Sequence, residues 1–175
     1  MNAVKTGLFV VATCAVTTVA AVAQTGVPRV AMYDDWSVFS PAQPRECFTA
    51  SAPTKTRAER GGAEVTVRRS AIRLYVTNRP EENTKNEVSF TGGYPFKDSS
   101  TVSVQIGSET YEMFTEDEYA WPESVEQDKL IVAAMRRGST AVLRAVSSRG
   151  TNTIDTFSLI GFSDAVKDAD QRCGQ

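Results

Sequence analysis

The stretch that decides the fold covers residues 148–165 and reads SRGTNTIDTFSLIGFSDA. Its Ser, Thr and Asp side chains are typical either of a catalytic site or of the hydrogen bonds that join a strand to a helix. A serine nucleophile needs a general base, but the chain has no histidine and no S-x-x-K motif. Gly150 permits an unusual backbone angle between two strands, while Thr153 and Thr156 suit a pleated surface. We therefore interpret the stretch as a turn, a long strand and the start of a helix.

Alternating apolar residues predict strands through most of the remaining chain. Gly107-Ser108 separates two alternating runs and predicts a hairpin. A phase change near Ser70 predicts a bulge or turn, and residues 55–62 are polar enough to predict an exposed loop. The predicted strands cover residues 32–39, 46–51, 64–78, 88–90, 102–106, 111–113, 140–147 and 151–162.

Two short segments carry helix signals instead. Asp128 precedes KLIVAAMRR and Gly138 follows it, so we expect Asp128 to cap a helix over residues 129–137. Ser163 precedes DAVKDADQR and predicts a second helix that ends near Cys173. The whole pattern predicts a mainly antiparallel β domain with two short helices, most simply a sandwich.

The N-terminus has the pattern of a secretory leader. Lys5 precedes a long apolar run, which closes with AVA at Ala23 before Gln24. A membrane anchor is the alternative, but the run is rich in Ala and Thr and polar sequence follows it closely. We expect a signal peptide over residues 1–23, cleavage between Ala23 and Gln24, and a single mature domain over residues 24–175. That chain is expected to be periplasmic or secreted, without a stable membrane span.

Charge and cysteine content limit the partners and cofactors. Removing Lys5 with the leader leaves 18 of the 19 basic residues against 21 acidic ones, so the mature chain gives no reason to expect nucleic acid as a partner. The basic pairs Arg68-Arg69 and Arg136-Arg137 are interpreted as solvated surface. Cys47 and Cys173 remain, and an oxidising compartment favours a disulfide between them over two unpaired thiols. Without histidine, we expect no metal site and no cofactor.

Carboxylates are the one catalytic option left. Glu116, Asp117 and Glu118 are adjacent in one segment, whereas a glycosidase needs two carboxylates that face each other across a substrate. An acidic, solvated turn is therefore the favoured interpretation. Asp155 and Arg149 are expected to pair locally or to cap backbone donors. Trp36, Tyr94, Phe96 and Trp121 are interpreted as anchors in the core or in loops.

Several of these segments together resemble the invasion-associated locus B family of bacterial exported proteins. The resemblance extends from about Trp36 to Cys173 and is carried by the segments DDWSVF, ECFTAS, GGYPF, AWP, IVAAMRRGS and SRGTNTIDTFSLIGFSDA. It implies an immunoglobulin-like β-sandwich in the cell envelope and, in some pathogens, a connection to virulence through host-cell entry. It implies no catalytic residues.

Two functions follow as hypotheses. The first is non-enzymatic binding to an envelope or host protein, or to an envelope component. The second is a hydrolase that cleaves a periplasmic polymer with carboxylates. A cleft that gathers Glu116, Asp117 and Glu118 with Asp155 would favour the hydrolase, whereas a flat surface with exposed aromatic residues would favour binding.

Overall fold

The computed structural model describes residues 26–174 as a mainly β structure with two helices. The predicted signal peptide, residues 1–23, and its cleavage position between Ala23 and Gln24 lie outside the described residues. The strands are β1 Arg29–Tyr33, β2 Trp36–Phe39, β3 Cys47–Ser51, β4 Lys55–Arg60, β5 Ala63–Glu64, β6 Arg73–Arg79, β7 Thr84–Thr91, β8 Thr101–Ile106, β9 Glu109–Glu116, β10 Tyr119–Trp121, β11 Thr140–Val146 and β12 Asn152–Ser158. The helices are α1 Val125–Arg137 and α2 Phe162–Cys173, and a 3-10 turn covers Pro80–Glu82.

The strands join in one antiparallel sheet, in the order β1-β2-β3-β6-β7-β10-β9-β8-β11-β12-β4-β5. Strands far apart in that order nevertheless meet across the core. The Trp36 indole N–H in β2 donates to the Ser158 carbonyl oxygen at the end of β12, at 3.0 Å. The rings of Phe90 in β7 and Phe157 in β12 meet edge to face, 6.1 Å apart. The sheet therefore folds over on itself like a sandwich, which confirms the predicted mainly β class with two helices.

Alternation of side chains along the strands builds the core. Val102, Val104 and Ile106 of β8 are buried, while the residues between them face away from the core. The helix α1 adds Ile131 and Met135 to the same core. The predicted hairpin at Gly107 is confirmed, and Gly107 has a φ of 58° in its turn.

The two predicted N-terminal helix caps, Asp128 and Ser163, are both wrong, whereas Gly138 ends α1 as predicted. The helix α1 begins at Val125, and Ser124 caps it by accepting a hydrogen bond from the Gln127 N–H. Asp128 lies inside the helix and accepts a hydrogen bond from the Val88 N–H of β7, at 2.8 Å. The helix α2 follows Gly161, whose φ is 84° and where an added Cβ would lie 2.1 Å from the Tyr33 carbonyl oxygen. A tight backbone approach, rather than a Ser163 side chain, starts this helix.

Three predicted segments also differ. Residues 32–39 are two strands, β1 and β2, because Asp34 adopts a φ of 46° and turns the chain. Residues 55–60 form β4 rather than a loop, because they pair with β12, an interaction that their charged sequence does not indicate. Residues 65–72, predicted as strand, lie outside the regular strands and cross to β6.

The disulfide predicted between Cys47 and Cys173 has a matching geometry. The two sulfur atoms lie 2.07 Å apart, with their Cα atoms 5.7 Å apart. The bridge would join β3 to the last residue of α2. Within residues 26–174, helix length and hydropathy nowhere meet the requirements of a membrane-spanning helix.

Candidate functional site

The acidic residues weighed as catalytic groups do not form a facing pair. Glu116 ends β9, and Asp117 and Glu118 form the turn to β10, so the predicted acidic turn is present. Asp155 is fully buried inside β12. Of these four carboxylates, Glu118 alone lines a cavity that the described loops enclose.

That cavity, about 670 Å³ in volume, is here called the arginine cleft. It lies where four connections meet, namely residues 65–70, residues 92–97, the β9–β10 turn and residues 147–151. The charged residues that line it are Arg60, Arg68, Arg69, Arg149 and Glu118. Four of its five charged side chains are therefore cationic in a chain whose net charge is −2.

Backbone hydrogen bonds hold these connections together. Three such bonds are Ser70 N–H to Gly93 O at 3.0 Å, Phe96 N–H to Asp117 O at 2.7 Å and Ser148 N–H to Pro95 O at 2.9 Å. Gly93 permits the first of them, because it has a φ of 74° and an added Cβ would lie 2.6 Å from the Ser70 carbonyl oxygen. The cleft is thus formed before any ligand arrives.

A buried ion pair forms the floor of the cleft. Arg69 donates from Nη1 and Nη2 to the two carboxylate oxygens of Asp155, at 2.7 and 2.5 Å. It also donates from Nε to the Gly92 carbonyl oxygen, at 2.8 Å, and its guanidinium lies 5.0 Å from the centre of the Tyr94 ring. Burial raises the pKa of Asp155, and the Arg69 guanidinium opposes that shift.

The structure corrects two predictions made from the sequence, one for Arg69 and one for Asp155. The Arg69 side chain is only 8% exposed, so its assignment to solvated surface is wrong. Asp155 does serve structure, as predicted, but its ionic partner is Arg69 rather than Arg149. The pairing was hidden because the two residues lie 86 positions apart in the sequence.

Further side-chain contacts shape the walls. Arg60 donates from Nε and Nη2 to Thr151 Oγ1, at 3.1 and 2.6 Å. The Tyr94 hydroxyl hydrogen-bonds the Thr153 hydroxyl. Burial raises the pKa of Tyr94, which keeps its phenol neutral.

The open side of the cleft has uncommitted groups. Arg68 and Arg149 form no ion pair or side-chain hydrogen bond with any residue in 26–174, and both are exposed. The hydroxyls of Thr66, Ser70 and Ser148 are likewise without a hydrogen-bond partner among those residues. These groups remain available to a bound molecule.

A second surface consists of aromatic side chains on the outer side of the sheet. Its members are Phe39, Phe48, Tyr75, Phe114, Tyr119 and Trp121, here called the aromatic face. Their neighbouring ring centres are 4.8 Å apart for Phe39–Phe48, 6.1 Å for Phe48–Tyr75, 5.7 Å for Tyr119–Trp121 and 5.8 Å for Phe114–Trp121. The strands that carry them, with β7 between, span about 24 Å at an interstrand spacing of roughly 4.8 Å.

Strand alternation explains why these rings face outward. On β6, Leu74 and Val76 are buried on either side of Tyr75. Phe114 is 41% exposed and Tyr119 is 43% exposed. Tyr75 pairs with Ser89 of β7 and Tyr119 pairs with Thr91 on the other side of that strand. Burial is the main cause of a raised pKa at Tyr75, and Tyr119 raises that pKa further.

Of these six residues, the sequence singled out Trp121 alone, as an anchor in the core or in a loop, whereas it lies on the strand β10. The signal that could have found the others is the alternation of an outward aromatic residue between two buried ones, as at Phe48 between Cys47 and Thr49. Trp36 and Phe96, by contrast, are buried in the core as predicted. Among the described residues, no three Cys, Asp or Glu side chains are grouped so as to hold a metal ion.

Comparison with known proteins identifies the family. A search of curated proteins and a search of solved structures each returned no significant match. The family model described as Invasion associated locus B (IalB) protein matches residues 36–170, which include the strands of the aromatic face and the residues that line the arginine cleft. The chain therefore belongs to the invasion associated locus B (IalB) protein family.

Proposed function

We propose that this chain is an exported envelope protein that binds a protein partner through the aromatic face, without catalysis, and that this binding serves host-cell invasion. The observation that carries the proposal is the exposure of Phe114 and Tyr119 on either side of Trp121. The family name supplies the link to invasion.

A protein partner suits the composition of this face. Protein interfaces are enriched in Tyr, Trp, Phe and Arg and have few charged groups at their centre. Arg73 lies beside Tyr75 closely enough to affect its pKa, so an arginine flanks the rings. Tyr and Trp offer a large contact area at a small cost in conformational entropy.

The cleft supports binding over the alternative, a carboxylate-dependent hydrolase. Hydrolysis of a glycosidic bond uses two carboxylates about 5–9 Å apart across the substrate. Glu118 is the one carboxylate among the cleft's charged residues, since Asp155 does not line the cleft and is buried in an ion pair with Arg69. A hydrolase would therefore need a second carboxylate that the cleft does not supply within residues 26–174.

The direct test is cross-linking in living cells of the native host, followed by isolation of the tagged chain. The Phe114→Thr, Tyr119→Thr double variant should recover its protein partner at least about tenfold less than the parent, because both side chains lie at the interface. Leu130→Gln is the matched control, since Leu130 is 57% exposed but lies on α1. It should recover the partner as the parent does, and the double variant should also reduce entry into host cells.

Two results would contradict the proposal. One is equal recovery of the same partner by all three proteins. The other is a cross-linked product that contains only copies of this chain. A polymer-cleaving activity that disappears in Glu118→Gln would establish the hydrolase instead.

The export step has its own test. Intact-mass measurement of the chain from its native host should give a protein that begins at Gln24. A protein that retains Met1 would contradict cleavage.

A further inference from the structure

We propose that the arginine cleft is a second binding site, separate from the aromatic face, and that its ligand is an acidic saccharide. The ligand would carry a carboxylate or a phosphate on a ring that also bears hydroxyl groups. This site does not depend on the proposed protein partner.

The charge of the cleft argues for an anion. Asp155 neutralises Arg69, which leaves Arg60, Arg68, Arg149 and Glu118 as the other charged residues that line the cleft. The cleft is thus lined by three further guanidinium groups and one carboxylate. Guanidinium groups bind carboxylates and phosphates through paired, charge-assisted hydrogen bonds.

The remaining polar groups argue for a hydroxyl-bearing ligand rather than a bare anion. Glu118 is an acceptor and would repel a simple phosphate, but it can accept a hydrogen bond from a sugar hydroxyl. Thr66, Ser70 and Ser148 add hydroxyls that can both donate and accept. An acidic sugar supplies partners for the arginines, for Glu118 and for these hydroxyls.

Size and rigidity also suit a small molecule. A volume of about 670 Å³ lies within the usual range of small-molecule sites, about 300–1,000 Å³. Two features hold the walls in place without a ligand. The first is the set of backbone hydrogen bonds that link the surrounding connections, and the second is the Arg69–Asp155 ion pair. Little ordering of the walls is then required on binding.

The experiment is an NMR titration of the purified protein with three matched probes, glucose, glucuronic acid and glucose 6-phosphate. They share a ring and differ at C6, so they separate the neutral ring from its carboxylate and phosphate forms. Inorganic phosphate is the fourth probe and lacks the ring. At least one of the two acidic sugars should shift the amide signals of the cleft and bind more tightly than glucose or inorganic phosphate.

Variants assign the binding to the arginines. The Arg68→Ala, Arg149→Ala double variant should weaken binding of the acidic sugar by about tenfold or more. Arg144→Ala is the matched control, because Arg144 is exposed on β11 outside the cleft and should leave the affinity unchanged. The amide spectrum of each variant verifies that the fold is retained. Raising the ionic strength from about 0.01 M to 1 M should weaken binding as well.

The Glu118→Gln variant tests the anionic group of the proposed ligand separately from its hydroxyl-bearing ring. Removing the carboxylate should strengthen binding of inorganic phosphate, because a repulsion is lost, and should strengthen binding of the acidic sugar by a smaller factor, because the sugar hydroxyl also loses a charged acceptor. The proposal is overturned if neither acidic sugar shifts the cleft signals, or if glucose or inorganic phosphate binds as tightly. It is also overturned if the double arginine variant binds like the parent.

Discussion

The arginine cleft and the aromatic face are both open to solvent, but the chain builds them by different means. The cleft consists of connections between strands, and it needs the buried pair Arg69–Asp155 together with backbone hydrogen bonds to hold its shape. The aromatic face is the outer side of paired strands, whose backbone is already held by the sheet and the core. A polar site made from loops therefore needs support from beneath, whereas a site on a sheet needs only outward side chains.

The two surfaces meet at the β9–β10 turn. Glu118 lines the cleft, and the next residue, Tyr119, belongs to the aromatic face. Consecutive residues at a strand end point to different sides, which explains how one short turn contributes to both surfaces. A substitution meant to affect one surface alone must therefore change either Glu118 or Tyr119, but not both.

The largest effect is expected at the floor of the cleft. Asp155→Asn leaves the buried Arg69 guanidinium without its counter-charge and should lower the free energy of unfolding by about 3–5 kcal/mol. Urea denaturation measures this loss. The Asp155→Asn, Arg69→Met double variant should recover much of it, because no unpaired charge is left. Equal or greater destabilisation of the double variant would show that the pair does not act as a unit.

The disulfide lies on the core side of the strands that carry the aromatic face. Its removal should have the next largest effect on the free energy of unfolding. Cys47 faces the core directly before Phe48, and the bridge to Cys173 closes a sequence separation of 126 residues. Cys173→Ser should lower the free energy of unfolding by about 2–4 kcal/mol and loosen α2. Thiol counting on the unfolded, unreduced parent protein is the direct check. Two free thiols per chain would rule the bridge out.

Asp128 is a buried carboxylate that can be compared with Asp155 through the pH dependence of the protein's stability. It lies behind β7 and, unlike Asp155, its side chain has just one hydrogen-bond partner within residues 26–174, the backbone N–H of Val88. Burial raises its pKa from 3.8 to about 6, the hydrogen bond from Val88 opposes that shift, and the negative charge of Glu87 adds to it. The folded chain therefore binds a proton between about pH 4 and 6 that the unfolded chain has released, so stability should fall as the pH rises through this range.

Asp128→Asn should remove that pH dependence. The amide oxygen can still accept from the Val88 N–H, and no charge is buried, so the variant should be more stable than the parent above pH 6 by about 1–3 kcal/mol. Urea denaturation at pH 4.5 and pH 7.5 measures both slopes. A variant that keeps the slope of the parent would assign it to another group.

The smallest effect on stability is expected on the aromatic face itself. Phe114→Thr and Tyr119→Thr keep strand-forming residues at exposed positions, so each should change the free energy of unfolding by no more than about 0.5 kcal/mol. Thermal and urea denaturation measure this. A much larger loss would show that these rings complete the core, and the face would then not be a free surface.

Sequence patterns predicted the elements whose signals are local. The β8–β9 hairpin follows from alternation around Gly107, and the two helices follow from apolar residues between polar ends. The strand β4 was missed because Lys55–Arg60 is charged, and only its pairing with β12 makes it a strand. The helix caps were misplaced because Asp128 and Gly161 meet partners that lie elsewhere in the chain, Val88 and Tyr33.

By itself, the sequence determined the mainly β class, the two helices, the two cysteines available for a bridge and the family resemblance. These depend on local periodicity, composition and motif order, all of which can be observed along one dimension. The tertiary structure decided that Arg69 is buried against Asp155, that Arg68 and Arg149 remain open, and that six aromatic residues form one face. Those outcomes depend on which distant strands become neighbours, because burial and pairing are set by contacts across the sheet rather than by the residues on either side.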